Sequence, residues 1–70
     1  MPYRRNEDLP PRVRRALPEH AQDIYRATFN SAWERYDGRR FGGEAIAHRV
    51  AWAAVKRRYR KLGGIWLPKE

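Results

Sequence analysis

Seventy residues without a cysteine make one small domain and exclude a disulfide-stapled fold and any thiolate metal centre. Sixteen Lys and Arg against eight Asp and Glu give a formal net charge of +8, which favours an anionic partner: nucleic acid, an acidic protein surface or an anionic membrane face. No apolar run approaches the ~18 residues of a membrane span, and MPYRRNEDLPPRV has charge but no following apolar stretch, so the sequence predicts no secretion signal.

The first predicted element is a short helix over Pro11 to Leu17. Proline suits a first helical position, where its missing N–H has no partner to lose. Glu7 and Asp8 just ahead place negative charge near the positive end of the helix. Pro18 ends this helix, because the residue before a proline is pushed out of the α region.

Pro18 also opens a second helix, predicted to run to about Asp37. Its apolar residues fall at Ala21, Ile24, Tyr25, Thr28, Phe29, Ala32, Trp33 and Tyr36, a three-and-four spacing. Gln22, Asp23, Arg26 and Arg35 fall between them. Gly38 is the expected C-cap glycine. Within the helix, Asn30 and Ser31 are poor interior formers. The favoured reading is that one or both tie a terminus or loop to the helix by side-chain hydrogen bonds; the other is an exposed recognition point.

DGRRFGGE is short enough to make the second and third helices antiparallel neighbours. Phe41 is expected to fold back and plug the core. The third helix is predicted from Glu44 to Leu62. On a helical projection Ile46, Ala47, Val50, Ala53 and Ala54 lie on one side, and His48, Trp52, Val55, Tyr59 and Leu62 on the next. Its first half therefore reads as packed on two sides. Its last two turns, KRRYRK, are basic nearly all round, and Gly63-Gly64 is expected to stop it. The remaining IWLPKE is an extended candidate that needs a partner. The other extended candidate is Pro2-Tyr3-Arg4, so the fold predicted is mostly α: a compact three-helix domain over residues 1–70 with a minimal β-ribbon between the N- and C-terminal segments. Tyr3 and Trp66 would close the end of the bundle. With no cysteines, the three Trp, four Tyr and two Phe are read as core, with Tyr25, Trp33 and Trp52 inside.

Nothing in the pattern supports catalysis. Ser31 lies within a helix and not on a strained turn, no carboxylate pair has acid–base spacing, and RRFGGE lacks the phosphate-loop lysine. His20 with Asp23 or Glu19 gives too few ligands for a metal site. The prediction is a non-enzyme with no catalytic, cofactor or metal residues and no cofactor, monomeric and cytoplasmic. What is left to meet another molecule is a basic set: Arg12, Arg14, Arg15, Arg39, Arg40, Lys56, Arg57, Arg58, Arg60 and Lys61, together with Arg4 and Arg5. Arginine suits phosphate and carboxylate through its fork of donors. The bland reading is a solvated, solubilising face.

HAQDIYRATFNSAW and AHRVAWAAVKRRY resemble the ChaB family of cation transport regulators. Met1-Pro2-Tyr3, Leu9-Pro10, Leu17-Pro18, Ala21-Gln22-Asp23-Ile24-Tyr25, Phe29-Asn30-Ser31-Ala32-Trp33, Tyr36, Ala47-His48, Ala51-Trp52-Ala53-Ala54-Val55-Lys56, Tyr59 and Trp66 carry the likeness over nearly the whole chain. The resemblance implies a small helical domain with a minor sheet joining its ends. It also implies a role in modulating a sodium/calcium–proton antiporter from its cytoplasmic face. Some viral relatives are thought to bind DNA, which makes a small basic nucleic-acid-binding protein the second reading. The chain departs from enteric members in a short, non-acidic loop between the second and third helices and in its strongly positive charge. The first argues against an acidic cation-sensing loop; the second strengthens the nucleic-acid reading.

Overall fold

The computed structural model describes residues 2–69; Met1, part of the resemblance, and Glu70 lie outside them. A 3₁₀ turn at Asn6–Asp8 leads into α1 (Pro11–Ala16), α2 (Glu19–Arg35) and α3 (Gly43–Arg58). Two four-residue strands close the chain, β1 (Tyr59–Leu62) and β2 (Ile65–Pro68).

The core is built from rows spaced four residues apart. Ala21, Tyr25 and Phe29 form the row on α2, and Ala47, Ala51 and Val55 form the row on α3, continued by Tyr59; all are buried. Large rings on α2 face small side chains on α3, so the two helices pack closely without voids between bulky neighbours. Leu9, Val13 and Leu17, again four apart, cover this pair from the N-terminal side. Both leucines of the two Leu-Pro pairs are therefore core residues, and each proline turns the chain at a buried anchor.

The polar residues beside the α2 row are not a solvated face. Gln22, Arg26 and Asn30, also four apart, hold the N-terminal segment 2–8 and the end of α1 against the helix. The Gln22 amide donates to the backbone oxygens of Leu17 at 2.9 Å and Arg14 at 3.3 Å, which satisfies carbonyls left open at the end of α1. Arg26 Nε donates to Asn6 Oδ1 at 2.8 Å and Arg26 Nη1 to the Arg4 carbonyl at 3.2 Å, while the Asn6 amide donates to Asp23 Oδ1 at 2.7 Å. Asn30, only 6% exposed, accepts from the Tyr3 N–H at 3.1 Å and donates to the Tyr3 carbonyl at 2.8 Å. The tethering role expected for Asn30 is present, whereas Ser31 is exposed.

That pair of bonds explains why no ribbon joins the termini. The peptide groups of Tyr3 are already used by Asn30, and the C-terminal segment pairs with itself. β1 and β2 run antiparallel with Leu62 opposite Ile65 and Tyr59 opposite Pro68. Gly63 (φ 58) and Gly64 (φ 82) form the turn, and two successive positive-φ residues are what the tightest hairpin connection requires. Closing a two-residue loop costs far less chain entropy than joining the chain's two ends. The helix predicted to Leu62 therefore stops at Arg58: Tyr59 is extended (φ -130, ψ 153) and its strand finds β2. Lys69 N–H closes the base of the hairpin on the Arg58 carbonyl at 2.8 Å.

Five further expectations change. Phe41 does not plug the core but stands fully in solvent (108% exposed). The place is already taken by Trp33, whose ring packs on Phe29 at 5.8 Å and lies directly against Gly38, where a Cβ would run into the indole. The left-handed residue that ends α2 is Asp37 (φ 53), not Gly38; Gly38 instead donates its N–H to the Trp33 carbonyl at 2.9 Å, closing the helix end. α3 packs on both predicted sides, through Ala47 and Val50 on one and Val55 and Trp52 on the other, but Ile46 and Ala53, expected on the first side, are exposed. Leu62, expected inside, is exposed on the hairpin. Of the three rings taken as interior, Tyr25 is fully buried while Trp33 and Trp52 are half-buried against the core.

Candidate anionic-partner surface

The ten basic residues singled out by the sequence do not share one face. Arg39 and Arg40 lie in the α2–α3 connection, with Arg40 Nε 3.3 Å from Asp37 Oδ2. The seventeen-residue length of α2, roughly 25 Å at 1.5 Å per residue, separates them from the other end of the helix pair. There the C-terminal turns of α1 and α3 both arrive: Leu17 leads directly into α2, and His20 in its first turn meets the Tyr59 ring edge-on at 6.3 Å. Arg14 and Arg15 belong to the last turn of α1, and Lys56, Arg57 and Arg58 to the last turn of α3. Positive charge at these helix ends complements the partial negative charge of the final carbonyls. Arg60 and Lys61 continue the basic run into β1.

Three hollows mark this half of the molecule. The largest, an open cleft of ≈ 730 Å³, has Arg4, Arg5, Arg14, Arg15 and Arg26 around it, tempered by Glu7 and Glu19. Arg26 is engaged by Asn6 and the Arg4 carbonyl. The other four arginines keep their guanidinium groups available, and Arg4, Arg5, Arg14 and Arg15 are all exposed. A shallower groove of ≈ 460 Å³ sets Arg57 and Arg58 beside Ile24, Thr28 and Ala54.

The third hollow, ≈ 650 Å³, lies between α1 and α3, where Arg12 and Arg15 stand over Tyr25, His48 and Trp52. Glu44 Oε2 is 3.8 Å from His48 Nε2, which favours the tautomer with its proton on Nε2. His48 Nδ1 is then the acceptor for the Tyr25 hydroxyl. Burial holds the imidazole below its ordinary pKa, Glu44 pulls it upward and Arg12 pushes it further down. Burial also pushes the Tyr25 phenol up to about 12, helped by the neighbouring Tyr3. A neutral His–Tyr pair, held by α2 and α3 and roofed by α1, is thus a buried polar joint of the core. His48 was expected at the core edge near Trp52; its bond to Tyr25 was not legible from spacing alone. Among the described residues, no group of three or more His, Asp or Glu is gathered as metal ligands would be.

Two features of this half are not predicted from the sequence: the placement of Arg4 and Arg5 of the basic set, and an apolar face. Arg4 and Arg5 are brought to the α1 arginines by the tethers on α2. The hairpin shows three aliphatic side chains, Leu62, Ile65 and Leu67, to solvent. The signal for the second was present: two glycines between YRKL and IWLP form a two-residue hairpin pattern.

A family model for ChaB matches residues 9–69. The chain belongs to the ChaB family. Proteins named "Putative cation transport regulator ChaB" from Escherichia coli K12 and Shigella flexneri are each 53% identical to it, over 87% of this chain and 87% of the relative. A solution NMR structure described as that of the putative cation transport regulator ChaB superposes with a TM-score of 0.85 at 49% identity, covering 99% of this chain and 100% of the other. The likeness spans the N-terminal segment, the helices and the hairpin alike, so the basic half of this ChaB-family chain is carried on a shared scaffold. No helix among the described residues is long and apolar enough to cross a membrane.

Proposed function

We propose that this chain is a small, non-enzymatic, monomeric binding protein that regulates cation transport, acting on the cytoplasmic face of a sodium/calcium–proton antiporter. The observation that carries this reading is the convergence of two basic helix ends at one end of a rigid helix pair, in a chain whose relatives are named for cation transport regulation. Arginines fixed on helices present donors at defined spacing to carboxylates on a partner's loops. Because these charges are exposed, they steer association and set its salt dependence more than they set its strength. The test is capture of the antiporter by the intact chain. The chain should retain it at low salt and lose it when Lys56, Arg57, Arg58 and Arg60 are all replaced by Gln. No retention by the unaltered chain would remove the reading.

The cleft formed by Arg4, Arg5, Arg14 and Arg15 supports a second reading, a nucleic-acid-binding protein that contacts phosphates. Such binding follows counterion release, so affinity for arbitrary duplex should fall steeply as salt rises, with little dependence on sequence. Titration with random duplex DNA at low salt decides it: no shift there ends this reading.

A further inference from the structure

The hairpin has two unlike faces. Side chains alternate along a strand and directly paired residues share a face, so the register places Tyr59, Lys61, Trp66 and Pro68 on one side. Arg60, Leu62, Ile65 and Leu67 lie on the other. The first side is anchored: Tyr59 is buried and Trp66 lies on Trp52 with ring centroids 5.8 Å apart. Nothing among the described residues covers the second. Leu62 (57% exposed), Ile65 (61%) and Leu67 (41%) form one continuous aliphatic patch, with Leu62 directly opposite Ile65 across the turn. Half of the large apolar residues that the described chain exposes are on this one face.

We propose that this face is a membrane-docking surface, seating the hairpin tip at the headgroup level of a bilayer rich in anionic lipid. Three observations select that occupant. Arg60 shares the face of the patch, and the exposed Arg57, Arg58 and Lys61 lie next to it along the chain, so the charge that accompanies the patch is complementary to anionic headgroups. The patch ends at the exposed Gly63-Gly64 turn, a hairpin tip that a deformable surface can take up. A second copy is disfavoured because facing hairpins would bring two chains of charge +8 together at their basic ends. The depth is shallow: each strand has one free edge, and its unpaired peptide groups need water, which the hydrocarbon core does not hold. The chain would lie on a membrane through an aliphatic tip and the basic residues that accompany it, the combination by which peripheral segments bind. The proposal needs lipid alone, and so stands or falls separately from the antiporter and nucleic-acid readings.

The experiment is co-sedimentation of the intact chain with vesicles of phosphatidylcholine alone and of phosphatidylcholine with phosphatidylserine. The expected result is binding to the anionic vesicles, with a weaker remnant at high salt carried by the aliphatic patch. The Leu62→Ser/Ile65→Ser/Leu67→Ser variant should lose at least tenfold in vesicle affinity and keep its helical circular dichroism and its retention on a soluble polyanion such as heparin. Arg60→Gln and Lys61→Gln should each cost about fivefold on vesicles, as expected per charge at an anionic surface, and should weaken heparin retention as well. No binding of the unaltered chain to anionic vesicles at low salt overturns the proposal. So does full vesicle affinity in the triple serine variant, which would leave charge alone at work, and so does a stable dimer in which the patch is protected.

Discussion

Both ends of the chain return to the same helix pair, and they do so in opposite ways. The N-terminal segment 2–8 is held on every side available to it. The Tyr3 ring packs on Phe29 at 4.8 Å, its peptide groups are taken by Asn30, and Asn6 and the Arg4 carbonyl are tied to Arg26. The C-terminal hairpin satisfies its own backbone by pairing and needs the body only for Tyr59 and Trp66. One side of it is thus free to carry apolar residues that the fold does not use. A segment whose backbone is taken up by a helix offers a partner only its outward side chains, Arg4 and Arg5 among them, whereas a self-paired hairpin can present a whole face.

The comparison is broken most severely at Phe29, where the N-terminal segment and the helix pair meet. Its ring touches Tyr3, Tyr25, Trp33 and His48 and is 1% exposed. Phe29→Ala should cost ~3–5 kcal/mol, read as a large fall in the urea midpoint with a single cooperative transition. If the N-terminal segment were merely draped over the surface, Asn30→Ala would be mild. Here it leaves a part-buried N–H and C=O of Tyr3 without their partner, and ~1–3 kcal/mol is expected. Loss of the Tyr3 amide's protection from hydrogen exchange would accompany it. Preserved protection in that variant would show that the segment is held by the ring alone.

How far the fold was legible follows the same division. The helices and their core rows were readable because Ala21, Tyr25, Phe29 and Ala47, Ala51, Val55 repeat at helical spacing, a local property. The tether of Asn30 was readable in kind, since a buried amide in mid-helix requires partners, though which backbone it holds depends on chain folding. The hairpin was missed because basic, helix-favouring KRRYRK continues the α3 pattern. Gly63-Gly64 serves equally well as a helix stop or as a hairpin turn. The choice between them is made by Trp66 finding Trp52, a tertiary contact. The basic site was legible as composition and only partly as placement: the third helix itself separates Arg39 and Arg40 from Arg57 and Arg58, but nothing local says that Arg4 and Arg5 join Arg14 and Arg15.

At the hairpin, effects should be smaller and confined. Ala at position 64 meets nothing within 4 Å but must hold a φ of 82°, so Gly64→Ala should cost ~1–2 kcal/mol through left-handed backbone strain. Amides of β1 and β2 should then exchange faster while those of α2 and α3 do not. Uniform acceleration throughout would mean that the hairpin is part of the cooperative core. The joint between helices responds to acid instead. His48 is held below its ordinary value of 6.5 by burial, with Arg12 reinforcing and Glu44 opposing. Between the lowered and the ordinary value the unfolded chain binds more protons than the folded one, so stability is fully present above about 6.5 and falls as pH drops through the lowered value. Denaturant midpoints measured from pH 8 to pH 5 should decline, and His48→Gln should flatten that decline. A midpoint that rises on acidification would show that Glu44, not burial, governs the imidazole.

The smallest effect tests the claim that one hairpin face is unused by the fold. Ile65 is exposed, lies opposite Leu62 and is on the other face of the hairpin from the Trp52–Trp66 stack. Threonine keeps its β-branching and therefore its fit to a strand, and removes only its aliphatic bulk. An apolar side chain that supports the fold loses stability when it is shortened and made polar; one that faces water should change stability by no more than about ±0.5 kcal/mol. Ile65→Thr should therefore leave the urea midpoint and the amide protection of β1 and β2 unchanged. A loss near that of Gly64→Ala would place Ile65 in a packed layer, and the outer face of the hairpin would then have to be read as structure and not as a surface held open for another molecule.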